Sequence, residues 1–478
     1  MPTTRRLRIR SPHDRDFERD IAAIRQELQL PASFPGEAVA AAAEAARHPR
    51  LPALDRTDIP FITIDPPGAM DLDQALHVER RDKGYRVHYA IADVAAFVSP
   101  GDAVDKEAHR RGETLYGADR TIPLHPRSLC EDAASLLPGK VRPALLWSID
   151  VDESGEGVHV DVRRACVKSR DKLDYDGVQA SIDAGRADPM WDLVREVGEL
   201  RMRRQQRRGA ISLGLPEQEI GIRKGQWALE YRARLPVEDW NEQMSLLTGM
   251  AAAHLMVKAG IGLLRTLPEA EPHTVARLRR AAHALEIDWP EQQSAAAFIN
   301  GLDSSNPTHV AMMVASTRML RGAGYVAFNG ELPAYREHAA LAAEYTHATA
   351  PLRRLVDRYT GEICVALCAG EPVPSWVLDA LPDLPASMRD AGHRASRFEH
   401  AVLDLVEAVI LEPHIGETFT GSIIDIDHDH PERGDAMVRM PAIEARVDGK
   451  AALPLGKRVE LKLVQADPTL RQVRFQCG

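Results

Sequence analysis

FITIDPPGAMDLDQALHVER, residues 61–80, is where the chain changes character. Phe61–Ile64 is a short apolar, β-branched run, and Ala75–Glu79 alternates apolar and polar residues; both read as strands. Pro66-Pro67-Gly68 between them is a turn. Asp65 ends the first strand, and Asp71 and Asp73 follow two apart in the loop before the second. Three carboxylates on a strand and its adjoining loop can converge on one point. Oxygen ligands without Cys or His select Mg²⁺, with Mn²⁺ as the alternative ion, and such ions are held by few carboxylates plus substrate phosphate. The chemistry that uses this arrangement is phosphoryl transfer with activated water. An Asp-x-Asp alone also occurs in ordinary surface loops. An EF-hand calcium loop is excluded, because its fifth position would be Ala75 and its glycine is missing.

Working outward, Phe17, Ile21, Ile24 and Leu28 recur on one helical face, with Asp14 or Asp16 as a candidate cap. LPASFPG (residues 30–36) breaks the chain, and Glu37 to Arg47 forms a second helix ended by Pro49 and Pro52. The pair is either a helix-turn-helix in outline or a lead-in packed on the next domain. Beyond residue 61, YRVHYAIADV reads as a strand and residues 145–167 as a hairpin around Ser154–Gly157. Helical periodicity takes over at 189–208, 237–259, 273–285, 307–320, 353–369 and 387–412, with a strand-rich interruption near 210–232. Strands first and helices later, without βαβ alternation, predict an α+β domain built on a mixed sheet with flanking helices. From His414 onward five strand-like runs follow closely, which predicts a five-stranded OB-type β-barrel. The expected layout is a helical lead-in at 1–58, a catalytic domain at 59–412 and a barrel at 413–478.

The 478 residues, 60 Lys+Arg against 70 Asp+Glu and net charge of −10 describe an ordinary globular chain. Wholesale disorder, collagen-like repeats, a disulfide miniprotein and a uniformly basic nucleic-acid binder are excluded; a locally basic one is not. Five cysteines, an odd number and without zinc-ribbon spacing, read as buried thiols of a reducing compartment. MPTTRRLRIRSPHD lacks the apolar core of a secretory signal. The most apolar stretch, Leu246 to Leu264, contains His254 and Lys258 and reads as a buried helix. A cytoplasmic location without membrane association is expected.

TIDPPGAMDLDQAL resembles the signature of the ribonuclease II/R family, the RNB-domain 3′-to-5′ exoribonucleases. The likeness continues in family order through YAIADVAAFVSPGDAVDKEAHRRGETLYGADRTIPLHPRSL, RRGAISLGLPE, EYTHATAPLRRLVDRY and RASRFEHAVLDL, and covers roughly residues 18–412. The resemblance implies that Asp65, Asp71 and Asp73 are the acidic metal cluster, joined by Gln74, with Asp73 the most critical for activity. It implies that Arg353 steadies charge on the scissile phosphate, that Tyr116 stacks on RNA, and that Tyr175 lies near the terminal nucleotide. Glu399 would line the site, and Leu213, Glu242 and Arg354 would contact RNA. For Arg353 and Arg354 the alternative is a structural ion pair at a helix start; for the tyrosines it is core packing.

Three positions depart from the family pattern. The signature usually ends Asp-Asp-Ala, whereas here it reads Asp73-Gln74-Ala75. Gln keeps an oxygen but no charge, so weaker metal binding is expected. Leu213 stands where relatives often carry Phe, and Asn241-Glu242 where two glutamates are usual. Arg5, Arg6, Arg8 and Arg10, and Arg201, Arg203, Arg204, Arg207 and Arg208, form two basic runs: solvated faces, or walls of an RNA path. The sequence therefore predicts a processive, Mg²⁺-dependent hydrolase of single-stranded RNA 3′ ends in RNA turnover, with no obligate protein partner. The rivals are an RNA-binding protein on a degenerate nuclease scaffold and a DNA-binding regulator using the N-terminal helices.

Overall fold

A computed structural model describes residues 15–31, 33–215, 217–223 and 226–478. Asp14, the four arginines at 5–10 and the side chains of Asp16 and Phe17 lie outside what is described.

The two strands of the opening stretch are Phe61–Ile64 (β1) and Gln74–Arg81 (β2). Gly84–Ala92 (β3), Val141–Val151 (β4) and Gly157–Leu173 (β5) complete the sheet. It is mixed, as expected, but closed: the five strands form a barrel in the order β1-β2-β3-β4-β5. The closure comes from the length of β5, 17 residues. Its first part pairs with β4 as far as Lys168, and its last part, Ser169 to Leu173, runs parallel to β1. A twisted strand that outruns its first partner can turn its free end to another.

Both faces of β1 and β3 are covered, and nearly all of their residues are buried. Tyr89 and Ile91 of β3 join a large cluster with Trp147, Met244 and Tyr359, while Ala90 and Ala92 join another with Phe61, Leu72 and Leu129. The predicted helices are present as Met190–Arg207, Pro236–Ala259, Pro272–Ala284, Pro307–Ser316, Leu355–Ala369 and Leu384–Leu411. The expected interruption is the hairpin Glu217–Arg223 with Gln226–Arg232. A two-stranded antiparallel sheet, Ile261–Thr266 with Gly324–Asn329, had no sequence signal, because three α-helices intervene between its strands. The helix expected from residue 353 begins at Leu355, and Arg354 is extended at φ −135°, ψ 126°.

The lead-in helices, Arg15–Glu27 and Gly36–Arg47, are committed to packing. Ile21 and Ile24 are buried in a cluster with Phe398 and Val402, and Arg25 pairs with Asp119. Ala42 sits in the Phe61 cluster. Arg111 lies 3.7 Å from the Phe34 ring centroid, in the connection between the two helices.

The C-terminal strands Thr418–Ile426, Arg433–Val438, Ile443–Gly449, Arg458–Asp467 and Gln472–Cys477 close a second barrel, with Ile443–Gly449 parallel to Gln472–Cys477. Its two phenylalanines serve the core: Phe475 is fully buried, and Phe419 meets it edge-on at 5.8 Å. Among the described residues no helix is long and apolar enough to cross a membrane.

Candidate active site

The loop after β1 is fixed residue by residue. The Asp65 N–H donates to Leu173 C=O at 3.1 Å, continuing the β1–β5 ladder to the barrel rim. Gly68, at φ +84°, supplies the left-handed step of the following turn. Leu72 is fully buried, its N–H donating to Ser135 Oγ at 2.9 Å and its carbonyl accepting from Leu136 at 3.0 Å. Anchoring Leu72 fixes the backbone that carries the two acids flanking it. Asp73 is only 4 % exposed.

Opposite lies the segment 349–354, and almost every residue of it is held. Gln74 Nε2 donates to Thr349 C=O. Asp357 Oδ1 accepts from Ala350 N–H at 2.7 Å, and His125 Nε2 stands 3.3 Å from Pro351 O. Asp73 Oδ1 accepts from Leu352 N–H at 2.7 Å. Thr114 N–H donates to Arg353 C=O at 2.9 Å, and Glu113 bridges Arg354 strand-to-strand. This is why the chain stays extended before Leu355.

The two arginines consequently face different partners. Arg354 makes a bidentate pair with Asp357, 2.8 and 2.9 Å, to a carboxylate shut off from solvent. That is the structural ion pair weighed above as its alternative. Arg353 puts Nε 3.5 Å from Asp73 Oδ2, beyond good hydrogen-bond length, and its side chain remains 37 % exposed. The side chain is therefore partly accessible to an incoming anion.

Electrostatically the acids are short of positive charge. Burial pushes the Asp73 carboxyl well above the usual carboxylate range; Arg353 opposes the shift and Asp71 adds to it. Burial likewise raises Asp71, against Arg353, Arg127 and Lys172. An all-oxygen donor set that holds its charge with difficulty suits a hard divalent cation. Asp65 stands at the rim, and its charge is felt by Tyr89. Among the described residues no three Asp, Glu, His or Cys side chains stand in metal-holding array. Asp65, Asp71 and Asp73 thus share the rim without forming a closed triad.

The other predicted residues divide. Tyr116, half-buried in the short strand Leu115–Tyr116, lies in the field of Arg353, Asp71 and Asp73. Glu399 projects from Leu384–Leu411; burial, then the Glu113 charge, pushes its carboxyl up to about 7. Tyr175 is buried at the start of the helix Tyr175–Asp183 and accepts from Asn241 Nδ2 at 3.1 Å. Glu242 pairs with Arg234 at 2.9 Å. Leu213 packs on the cluster of Leu278, Trp289 and Phe298. Gln74 has both ends of its amide engaged by protein, Nε2 by Thr349 and Oε1 by Tyr89 OH at 3.4 Å. In the 201–208 run, Arg201 is buried on Gly155 C=O, and Arg203 and Arg204 face Glu199 and Glu156.

Sequence reading missed Glu113 and Asp357. Asp357 had a signal, being three residues after Arg354 at the start of a helix. Glu113 had none, since its neighbours Arg354 and Glu399 come from distant segments.

Two closed β-barrels joined by a helical layer, with acids and an open guanidinium on one rim, define a particular class of α+β protein. Residues 54–368 match the RNB domain and residues 417–477 the RNase II-type exonuclease C-terminal S1 domain. The chain belongs to the RNB-domain family, the ribonuclease II/R group. Ribonuclease R 1 of Lactococcus lactis subsp. lactis is 25% identical over 507 residues, covering 96% of this chain and 60% of that protein. Exoribonuclease 2 of Vibrio vulnificus is 36% identical over 152 residues, 31% of this chain and 23% of that one. The chain thus spans less than two thirds of the length of these relatives. In fold it is similar to Mycoplasma genitalium RNase R, solved in complex with ribose-methylated single-stranded RNA (TM-score 0.85, 18% identity, 97% of this chain and 78% of that one). It is also similar to yeast Ssd1, described as a pseudonuclease (TM-score 0.69, 16% identity, 91% and 56%).

Proposed function

We propose that this protein is a hydrolytic 3′-to-5′ exoribonuclease that takes single-stranded RNA ends and releases nucleoside 5′-monophosphates. The observation that carries the reading is the buried Asp73 carboxylate 3.5 Å from Nε of the partly exposed Arg353. Membership of the RNB-domain family supports it, and the RNase II-type S1 match supports RNA as the partner.

Asp71 and Asp73, with Asp65 at the rim and substrate phosphate and water completing the set, would hold a divalent cation, Mg²⁺ or Mn²⁺, which when bound supplies Lewis-acid polarisation of the phosphate and a more acidic water. The chain's own groups do the rest. Arg353, fixed through its carbonyl to Thr114, offers a forked donor to the non-bridging oxygens as charge grows on them. Asp73, fixed through Leu352 N–H on one oxygen, has its second oxygen facing Arg353. Water adds to phosphorus and the bond to the 3′-oxygen breaks, so the departing nucleotide keeps the phosphate on its 5′-oxygen. Tyr116 offers a stacking face that any base can use. Contacts to backbone and 2′-hydroxyls make the activity sequence-independent and RNA-preferring. We assign residues 1–58, 59–412 and 413–478 to lead-in, catalytic domain and RNA-binding barrel, and the cytoplasm as the compartment.

A 5′-labelled single strand incubated with Mg²⁺ or Mn²⁺ tests this: stepwise shortening from the 3′ end with mononucleotide release is expected, and Asp73→Asn protein must be inactive. Absence of release with both ions sinks the enzyme reading. One feature favours a second reading, an RNA-binding protein on a nuclease scaffold: Gln74 replaces a usual acid of the signature. Tight RNA binding without release is its distinguishing result.

A further inference from the structure

Gln74 opens β2 directly after Asp73. Thr349 C=O can only accept a hydrogen bond, so the amide nitrogen of Gln74 must be the end that faces it. That turns Oε1 toward Tyr89 OH at 3.4 Å, and Tyr89 OH in turn meets Ser245 Oγ at 3.0 Å. The orientation of the amide is therefore set by its partners and is not interchangeable. Thr349 begins the segment whose next residues are held by Asp357, His125, Asp73 and Thr114 and which carries Arg353.

We propose that Gln74 is a positioning residue for Arg353, latching the Thr349–Arg354 segment to the barrel rim, and that it contributes no oxygen to a metal ion. An aspartate at this position could not do the same. Its carboxylate only accepts hydrogen bonds, is one methylene shorter, and would face the Thr349 carbonyl oxygen with like charge. A neutral donor ties down the loop carrying Arg353. The kinetic part of the proposal rests on the exoribonuclease reading; the structural and metal-binding parts do not.

The test uses Gln74→Met, which keeps the length but removes donor and acceptor. Hydrogen exchange of the full chain should show the amides of Ala350 and Leu352 exchanging at least about tenfold faster. Mn²⁺ affinity, measured by calorimetry without RNA, should stay within about twofold of wild type. In turnover, kcat should fall about tenfold with KM unchanged, and the loss should vanish in an Arg353→Ala background. Gln74→Asp should be no more active than Gln74→Met. Unchanged exchange, a drop in Mn²⁺ affinity of about tenfold or more, or a gain of activity in Gln74→Asp overturns the proposal. If wild-type protein releases no nucleotide, the exoribonuclease reading fails, while exchange and calorimetry still decide the role of Gln74.

Discussion

Asp73 reaches across from the barrel rim to accept the backbone N–H of Leu352 at 2.7 Å, so the acid and the arginine that follows Leu352 are set by one hydrogen bond. This separates the two roles of Asp73. Asp73→Asn keeps an acceptor oxygen for Leu352 but loses the charge. Nucleotide release should fall by about 10³-fold, the scale for losing a group that acts in the transition state. Stability should not fall, because burial already makes the ionised form unfavourable. Product release and a thermal melt on the same preparation check both halves.

Arg353 and Arg354 are adjacent yet should fail differently. Arg353→Lys keeps the charge but loses the fork, and its side chain is partly exposed. Turnover should drop about 10²-fold with little change in melting temperature. Arg354→Ala leaves the buried Asp357 carboxylate without its bidentate partner. That is expected to remove about 3–5 kcal/mol of stability, read by urea unfolding. Equal effects on stability from both substitutions would contradict the assignment.

How much of this could be read from the sequence depends on how local the cause was. The α+β class, the long helices and the five C-terminal strands follow from periodicity within each segment. The closure of the first barrel does not, because it is made by Ser169–Leu173 pairing with β1, more than a hundred positions away. Asp71, Asp73 and Arg353 were legible as residue types in family order; Asp73 and Arg353 stand 3.5 Å apart, and Asp71 lies in the field of both. Gln74 was expected on the metal and its amide is engaged elsewhere, since nothing local announces Thr349 or Tyr89 as its partners. Leu213 and Glu242 were placed by motif alone; the neighbours of Leu213 come from helices that sequence spacing does not bring together, whereas Glu242 is held by Arg234, just ahead of its own helix.

Tyr116 tests whether RNA approaches past Arg353. Tyr116→Ala should weaken binding of a single strand by about 1–3 kcal/mol, roughly 5- to 150-fold in Kd, by loss of base stacking. Tyr116→Phe keeps the ring and should bind within about twofold of wild type. Binding to RNA in EDTA, followed by fluorescence anisotropy, separates this from metal effects. An alanine variant that binds as wild type would remove Tyr116 from the RNA path.

Glu399 and Glu113 give the fold a specific pH dependence. Burial and the neighbouring Glu113 raise the Glu399 carboxyl to about 7, while Arg354, Arg265, Arg394 and Arg353 act on Glu113 in the opposite sense. In the unfolded chain a glutamate titrates near about 4.3. Between these values the folded state binds a proton that the unfolded state has released. Stability from this site is therefore full below about pH 4.3 and is lost as pH rises toward 7, after which the loss is constant. Glu399→Gln cannot ionise and should escape it. The stability difference, variant minus wild type, should grow from pH 5 to pH 7 by on the order of 2 kcal/mol and then level off. Urea unfolding of both proteins at pH 5, 6, 7 and 8 measures it, with other titrating groups largely cancelling in the difference. A difference that is flat across this range would mean that Glu399 is ionised throughout and that its environment is more polar than its burial beside Glu113 implies.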